Sequence, residues 1–346
     1  MPRMDTAVGP RRRTRRGSGA VTLHDVARLA GVAPITASRA LNAPNQVSED
    51  VRKRVADAVA QTGYVPNLLA GGLASTRSRL VAAVVPTITG PVFMPTVEAL
   101  TEALAERGYQ LMLGQSGYAG SREDALLEAI IGRRPDGIVL TGTMHSDAAR
   151  RRLQAAGTPV VETWDLTPEP IDMLVGFSHA DVGRAVARFL HQRGHRRLAV
   201  VSGSDDRARR RTEAFATQAA ELKCPEVPVH EVPPPTTLRS GRQAMRALMA
   251  LSPRPQAVFC SSDLLALGVM TEARAAGLTV PEDLAVVGFG DLELAADTDP
   301  ALTTVRINGA AIGRQAAEFI VRRAEGQDVG QRVVDVGFSI VERESA

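Results

Sequence analysis

The sequence predicts a small all-α N-terminal domain joined by a short connecting segment to a larger α/β body of two similar lobes. Three observations predict it. Residues 21–42 carry a helical apolar period interrupted by one tight turn, the charge changes sign along the chain, and from residue 79 apolar strand-like runs alternate with helical stretches in two successive series. Residues 1–79 hold 13 Lys and Arg against 5 Asp and Glu, a net +8, so the remainder carries −5 of the overall +3. The N-terminal fifth is therefore the part built to face a polyanion, and its binding should weaken steeply with salt.

Residues 1–20, rich in Pro, Arg and Gly, read as a disordered basic arm; Arg11, Arg12, Arg13, Arg15 and Arg16 serve either as phosphate contacts or as a solvated tail. Within 21–65, Thr22 is placed to cap a helix, with Asp25 completing a capping box and Leu23, Val26, Ala27 and Ala30 sharing one face. Gly31 supplies a sharp turn, Val32 a buried plug, and Pro34 a permitted first position for a second helix, Pro34 to Leu41. A third helix starts at the N-cap Ser48, buries Val51, Val55, Ala58 and Val59, and stops at Gly63. Two helices meeting at so tight a turn form either a DNA-reading helix-turn-helix or an ordinary helical hairpin. In the former the second helix enters the major groove, which makes Pro34, Ile35, Thr36, Ser38 and Arg39 the candidates for contact.

Composition narrows the choice. Aromatic residues are 3%, too few for base stacking on aromatic platforms, so duplex DNA suits the chain better than single strands or RNA. Cys224 and Cys260 form no disulfide scaffold and no Cys/His group has zinc spacing, so neither a metal nor a cofactor is expected. No apolar run approaches the ~20 residues that cross a bilayer, and the Arg-rich start lacks a signal core, which places the protein in the cytoplasm.

In the body, strands are expected at 80–88, 109–116, 137–142 and 159–163, with helices beginning near Pro95, Arg122 and Ser146. A second series follows at 196–203, 227–232, 257–262 and 284–289, with helices after Ala180, Asp206, Ser240 and Asp263. Parallel βαβ units arranged as two lobes predict a ligand cleft at the strand C-terminal ends.

The run VTLHDVARLAGVAPITASRALN, then VSEDVRKRV, then GYVPNLLAGGLAS at 63–75, resembles the DNA-binding module of the LacI/GalR family of bacterial transcriptional repressors, in the same order and spacing. The resemblance extends over nearly the whole chain beyond the arm. PVVETWDLTPEPIDMLVGFSH at 159–179, VFCSSDLLALG at 258–268 and VDVGFSI at 334–340 are most similar to its gluconate-responsive branch. The resemblance implies a helix-turn-helix domain at 21–65, a hinge at 66–78, and a two-lobed effector and dimerisation domain at 79–346 with a periplasmic-binding-protein-like (type I) fold. Lobe 1 would take about 79–178 and 307–328, lobe 2 about 179–306 and 329–346. It also implies base contacts from Pro34, Ile35 and Arg39, with Thr22 and Asn67 among the DNA-facing residues and Leu73 wedged into the minor groove. Pro34 and Ile35 are apolar where many members are polar, so they would press on thymine methyls; Arg39 would pair with guanine. Gly71 and Gly72 disfavour a hinge helix by roughly 2 kcal/mol, so the hinge is expected to order only on operator DNA.

For the effector, the resemblance implies Arg211 as a cleft arginine, a guanidinium suited to clamping a carboxylate. Ala214 replaces the family's glycine nearby, and Arg207, Arg209, Arg210 and Arg211 also read as a solvated helix face. Gly290, followed by Asp291, stands where sugar-binding members carry an aspartate, and Ser262-Asp263 replaces a frequent Asn-Asp pair. Losing acceptors suits an anionic ligand. Glu162 points the other way unless it contacts hydroxyls. Phe93, Tyr118, Trp164 and Phe177 are candidate pocket walls, and His179 either caps a helix, bridges the lobes or touches the ligand.

No Gly-x-Ser-x-Gly elbow, phosphate loop, His-Glu-x-x-His or dinucleotide fingerprint is present, so no enzyme is expected. The reading is a homodimeric repressor that grips a pseudopalindromic double-stranded operator and responds to a small sugar acid such as gluconate. The alternatives are the same family responding to a neutral sugar, nucleoside or purine, an activator role, a solute-binding protein for transport, and a sugar-metabolising enzyme.

Overall fold

The computed structural model describes residues 21–65, 77–118 and 120–346. The expected arm at 1–20 and the hinge positions 66–76, with Asn67 and Leu73, lie outside them. The chain divides into two compact units, Met1–Thr76 and Arg77–Ala346.

The first unit has three helices: α1 (Leu23–Ala30), α2 (Pro34–Asn42) and α3 (Glu49–Thr62). Thr22 donates its backbone N–H (3.0 Å) and its hydroxyl (2.7 Å) to the Asp25 carboxylate, and these bonds hold that carboxyl below its usual range. Gly31 ends α1 at φ 62, in the left-handed region that lets the chain turn within three residues into Pro34 at the first position of α2. Ser48 caps α3 by accepting the Val51 N–H, and Gly63 ends it at φ 63. The core is Val26, Ala27 and Ala30 of α1, Ala37 and Ala40 of α2, and Val55 and Ala58 of α3. Small residues on α2 let its axis sit close to the other two helices. Val32, expected as a buried plug, is half-buried against that core.

The second unit holds two six-stranded sheets. The first comprises β1 (Leu80–Val85), β2 (Gln110–Gln115), β3 (Gly137–Thr141), β4 (Val160–Thr163), β5 (Met173–Gly176) and β11 (Val333–Asp335), in the order β11-β5-β4-β3-β1-β2 and parallel throughout. The second comprises β6 (Leu198–Gly203), β7 (Val229–Val232), β8 (Ala257–Cys260), β9 (Ala285–Phe289), β10 (Thr303–Arg306) and β12 (Ser339–Val341), in the order β12-β10-β9-β8-β6-β7, with only β12 antiparallel. Strands such as LVAAVV are apolar on both faces because helices cover both sides, and each fully buried Val or Leu contributes ~1.5–3 kcal/mol.

Helices α4 (Met94–Glu106), α5 (Gly120–Ile131), α6 (Asp147–Ala156) and α12 (Gly309–Ala324) belong with the first sheet. The second sheet has α7 (His179–Gln192), α8 (Asp206–Glu221), α9 (Leu238–Met249), α10 (Asp263–Ala275) and the single turn α11 (Leu294–Asp297). The chain passes between lobes after β5, after β10 and after β11. The last passage corrects the expected boundary near 328: Val333–Asp335 pairs with Leu174–Gly176 in the first sheet, so lobe 2 resumes only at β12. Four strands were absent from the sequence expectation. β5, β10, β11 and β12 are three or four residues long, and β10 begins with two threonines, Thr303 and Thr304, that are fully buried yet hydrogen-bonded.

In each sheet the chain order reverses beside the first strand, between β1 and β3 and between β6 and β8. A crevice opens at such a reversal because the connections leave on opposite faces.

Candidate functional site

On the first unit, the open face of α2 carries the expected DNA-facing side chains. Pro34, Ile35 and Arg39 are exposed, Ile35 by 63%, while Ala37 and Ala40 hold the opposite face in the core. Thr36 and Ser38 are half-buried, and the Ser38 hydroxyl accepts from Asn42 Nδ2 at 3.3 Å. Thr22 is exposed, but its hydroxyl is engaged in the α1 cap. Among the described residues of this unit, Arg28 pairs with Asp25 and Arg54 with Asp50, whereas Arg39 makes no ion pair.

On the second unit, the two crevices face one another and enclose a cavity of about 90 Å³. It adjoins an outer one of about 480 Å³, the two sharing Tyr118, Asp205, Arg207 and Pro234. Lobe 1 contributes Thr87 after β1, Phe93 before α4, Tyr118 after β2 and Trp164 after β4. Lobe 2 contributes Asp205, Arg207 and Arg211 after β6, Thr236 after β7, Ser261, Ser262 and Asp263 after β8, and Phe289 at the end of β9.

Trp164 is the pivot of the lobe 1 wall. Its backbone takes φ 67, a left-handed conformation that a bulky side chain adopts only when its surroundings hold it there. The indole N–H donates to the Thr96 hydroxyl at 3.0 Å, and that hydroxyl donates to the Gly309 carbonyl at 2.9 Å. The ring meets Phe93 edge-on at 5.0 Å and Phe177 at 5.9 Å. The Trp164 carbonyl accepts from His179 Nε2 at 2.9 Å, joining lobe 1 to the start of α7.

Arg211 lies at the same junction, 5% exposed, with its guanidinium 4.0 Å from the centre of the Phe289 ring. It donates from Nη1 to His179 Nδ1 (2.8 Å) and from Nη2 to the Ser261 carbonyl (3.2 Å). The packing of α7 on α8 makes this possible: a Cβ at Gly183 would fall 2.2 Å from the Arg211 carbonyl oxygen, so only glycine admits the approach. Arginine never accepts a hydrogen bond, so His179 Nδ1 must be the acceptor and Nε2 the donor, a neutral imidazole. Burial and the Arg211 charge hold the imidazole well below its usual pKa, in agreement with that assignment. Burial also lowers the Arg211 pKa to about 10, leaving it charged at neutral pH.

Two buried guanidinium atoms on residues of the cavity wall, Arg211 Nε and Arg207 Nη1, have no hydrogen-bond partner among the described residues. The neighbouring carboxylates are otherwise occupied. Asp205 accepts from the Ala208 N–H at 3.2 Å and stands 3.7 Å from Arg207 Nε. Asp263 is fully buried, accepts from the Thr304 hydroxyl (2.5 Å) and the Leu292 N–H (2.7 Å), and has its pKa raised by burial to about 6. An unpaired buried donor costs about 1–3 kcal/mol, and a charged acceptor is the strongest partner such a donor can gain.

Of the expected effector residues, Phe93, Tyr118, Trp164, Arg211, Ser262 and Asp263 line this cavity, and three do not. Glu162 is buried inside lobe 1, accepting from the Ile171 N–H at 2.6 Å near His145 and Arg150; burial raises its pKa. Its carboxylate faces these lobe 1 residues and does not line the cavity, so it does not oppose an anion in the cleft. Phe177 is fully buried behind Trp164 as core. Asp291 is tied to Arg306 and to Arg343 (2.7 Å) and lines a different groove. Sequence reading missed Thr87, Asp205, Arg207, Thr236, Ser261 and Phe289. Arg207 carried one usable signal: it is four residues before Arg211 and shares its helix face.

Comparison with known proteins follows this division. Residues 22–67 match the family described as "Bacterial regulatory proteins, lacI family", and residues 187–346 match "Periplasmic binding protein-like domain". The HTH-type transcriptional regulator GntR of Pseudomonas aeruginosa is 37% identical over 332 residues, 95% of this chain and 97% of that protein. A LacI-family transcriptional regulator from Silicibacter pomeroyi superposes with a TM-score of 0.88 at 32% identity, covering 94% of this chain and 99% of that one. The lac repressor dimer bound to operator and the anti-inducer ONPF gives a TM-score of 0.79 at 25% identity, covering 94% and 99%.

Proposed function

The chain belongs to the lacI family of bacterial transcriptional regulators, and we propose that it is a cytoplasmic, homodimeric repressor whose operator affinity is changed by a small sugar acid of the gluconate class held between the two lobes. The observation that carries the ligand class is the pair of unpartnered guanidinium atoms, Arg211 Nε and Arg207 Nη1, on residues of the cavity wall. A carboxylate offers these donors a charged acceptor, whereas a neutral sugar or purine offers only neutral ones. Phe93 and Trp164 present rings suited to the apolar face of a carbon chain, and Thr87, Thr236 and Ser262 present hydroxyl partners.

On the DNA side, the exposed apolar pair Pro34 and Ile35 with the unpaired Arg39 favours an operator half-site in which thymine methyls and a guanine are read from the major groove. Two copies would place the α2 helices in half-sites about one helical turn apart, ~34 Å. The similarity to a repressor dimer on its operator supports that arrangement. Among the described residues no helix is long and apolar enough to cross a membrane.

Trp164 is the only tryptophan, and it stands in the cavity wall. Titrating its fluorescence with gluconate, gluconamide, glucose and purines tests the ligand class. A saturable change with the acid at concentrations where the amide and the neutral ligands give none is expected, and a response to glucose or a purine alone would reject it. Arg211→Met should weaken the response to gluconate by tenfold or more, since hydrogen bonds to charged groups contribute ~1.5–3 kcal/mol.

A further inference from the structure

Arg211 offers five N–H groups, and which of them faces the ligand depends on what holds the others. Ser261 O takes one N–H of Nη2 and His179 Nδ1 one of Nη1, which leaves Nε as the nitrogen with no partner among the described residues. The carbonyl is a fixed acceptor. The imidazole is an acceptor only while its proton sits on Nε2, and Nε2 holds that proton because it faces the Trp164 carbonyl at 2.9 Å. Trp164 belongs to lobe 1, whereas His179 and Arg211 belong to lobe 2, so the orientation of the guanidinium rests on a contact made across the cleft.

We propose that His179 is a positioning residue for the anion site: it relays the Trp164 carbonyl of lobe 1 to the Arg211 guanidinium of lobe 2, so that recognition of a carboxylate and apposition of the lobes are one coupled event. This rests on the reading of the effector as a sugar acid and adds to it how the charge preference is set. The Phe177 ring, edge-on to the imidazole at 4.6 Å, and the Phe289 ring beneath the guanidinium exclude water from the relay. The left-handed backbone at Trp164 aims its carbonyl at His179, which gives that strained conformation a role in the ligand response. When the lobes part, His179 Nε2 loses its acceptor, the tautomer is no longer fixed, and Arg211 is free to rotate.

The test is the ratio of gluconate to gluconamide affinity, measured by calorimetry on the full chain. Glutamine keeps one acceptor and one donor on a flat amide; leucine keeps neither. His179→Leu should lower the ratio by roughly tenfold, and His179→Gln should keep it within about threefold of the wild type. A His179→Leu protein that melts cooperatively and keeps the wild-type ratio would overturn the proposal, as would a Gln variant as impaired as the Leu variant. Should the leucine variant fail to fold, nitrogen NMR of the wild-type histidines decides the matter. His179 must show an unprotonated Nδ1 and a protonated Nε2 at neutral pH, and the Nδ1 resonance must move on adding gluconate; an imidazolium or the opposite tautomer rejects the relay. A wild-type protein with no preference for the acid over the amide would instead reject the sugar-acid reading, while the NMR result would still report on the tautomer.

Discussion

Arg211 Nη1 donates to His179 Nδ1 at 2.8 Å across the packed pair α7 and α8, and Gly183 is the residue that lets those helices approach closely enough for the bond to form. Three residues far apart in their chemistry thus act on one geometry. A methyl group at position 183 would meet only the backbone of α8, Arg211 O at 2.2 Å and Phe215 N at 2.9 Å, so neither neighbour yields by rotating a side chain. Gly183→Ala should destabilise the second unit by about 1–3 kcal/mol, as overpacking does, and weaken ligand binding more than the stability loss alone explains. Urea unfolding together with a gluconate titration checks this; an unchanged affinity would show that α8 holds Arg211 without help from α7.

Arg39 is exposed on the open face of α2 and makes no ion pair among the described residues. Arg39→Ala should cost ~1–3 kcal/mol of preference for the operator over a scrambled duplex while leaving weak, salt-sensitive binding in place. Fluorescence anisotropy with both duplexes over a range of salt separates the outcomes. Equal losses on the two duplexes would mean that Arg39 contacts phosphate rather than a base.

Asp263 gives a pH-dependent stability. Burial raises its pKa from the ordinary 3.8 to about 6, against the opposing bonds from Thr304 and Leu292. A carboxyl that binds its proton more tightly when folded stabilises the fold most below pH 3.8 and loses that contribution as pH rises through 6. Between pH 4 and 7, the unfolding free energy of the wild type should therefore fall by up to roughly 3 kcal/mol relative to Asp263→Asn, which has no such proton to lose. A pH-independent difference between the two proteins would show that Asp263 keeps its ordinary pKa in the folded state.

Asp165 and Arg210 make a second contact across the cleft, one residue after Trp164 and one before Arg211, at 2.8 Å. Asp165 is 2% exposed and also accepts from the Thr143 hydroxyl, so its charge is committed to this pair. Arg210→Gln leaves that carboxylate without its cation and should weaken gluconate binding by favouring the parted lobes. Calorimetry on the variant checks it, and affinity equal to the wild type would make the pair a bystander to closure.

The DNA-binding unit was legible in the sequence almost residue by residue. Its signals are local: a capping threonine, a turn glycine, a first-turn proline and an apolar period, and each sets the backbone within a few residues of itself. The eight strands β1 to β4 and β6 to β9 were legible for the same reason. β5 and β10 were not, although β4, β7 and β8 are equally short; in β10 the buried Thr303 and Thr304 look polar until their hydroxyl partners are placed. The cavity was only partly legible. Whether Glu162 or Trp164, two residues apart, faces the ligand is decided by the left-handed turn at Trp164, which breaks the strand alternation, and nothing local in the sequence announces that turn. The same limit left His179 open among capping a helix, bridging the lobes and touching the ligand, because its partners come from the end of β4 and from α8. Arg207 was visible at helical spacing from Arg211 but was not separable from the exposed Arg209 on the same helix.

The most direct measurement is linkage between the two ligands. An operator duplex selected from bacterial genomic fragments is titrated with the full chain at fixed salt, with and without saturating gluconate, and gluconate is titrated with and without that duplex. The account predicts that each ligand changes the affinity of the other by the same factor. Gluconate binding with one affinity whether or not the operator is present would contradict it.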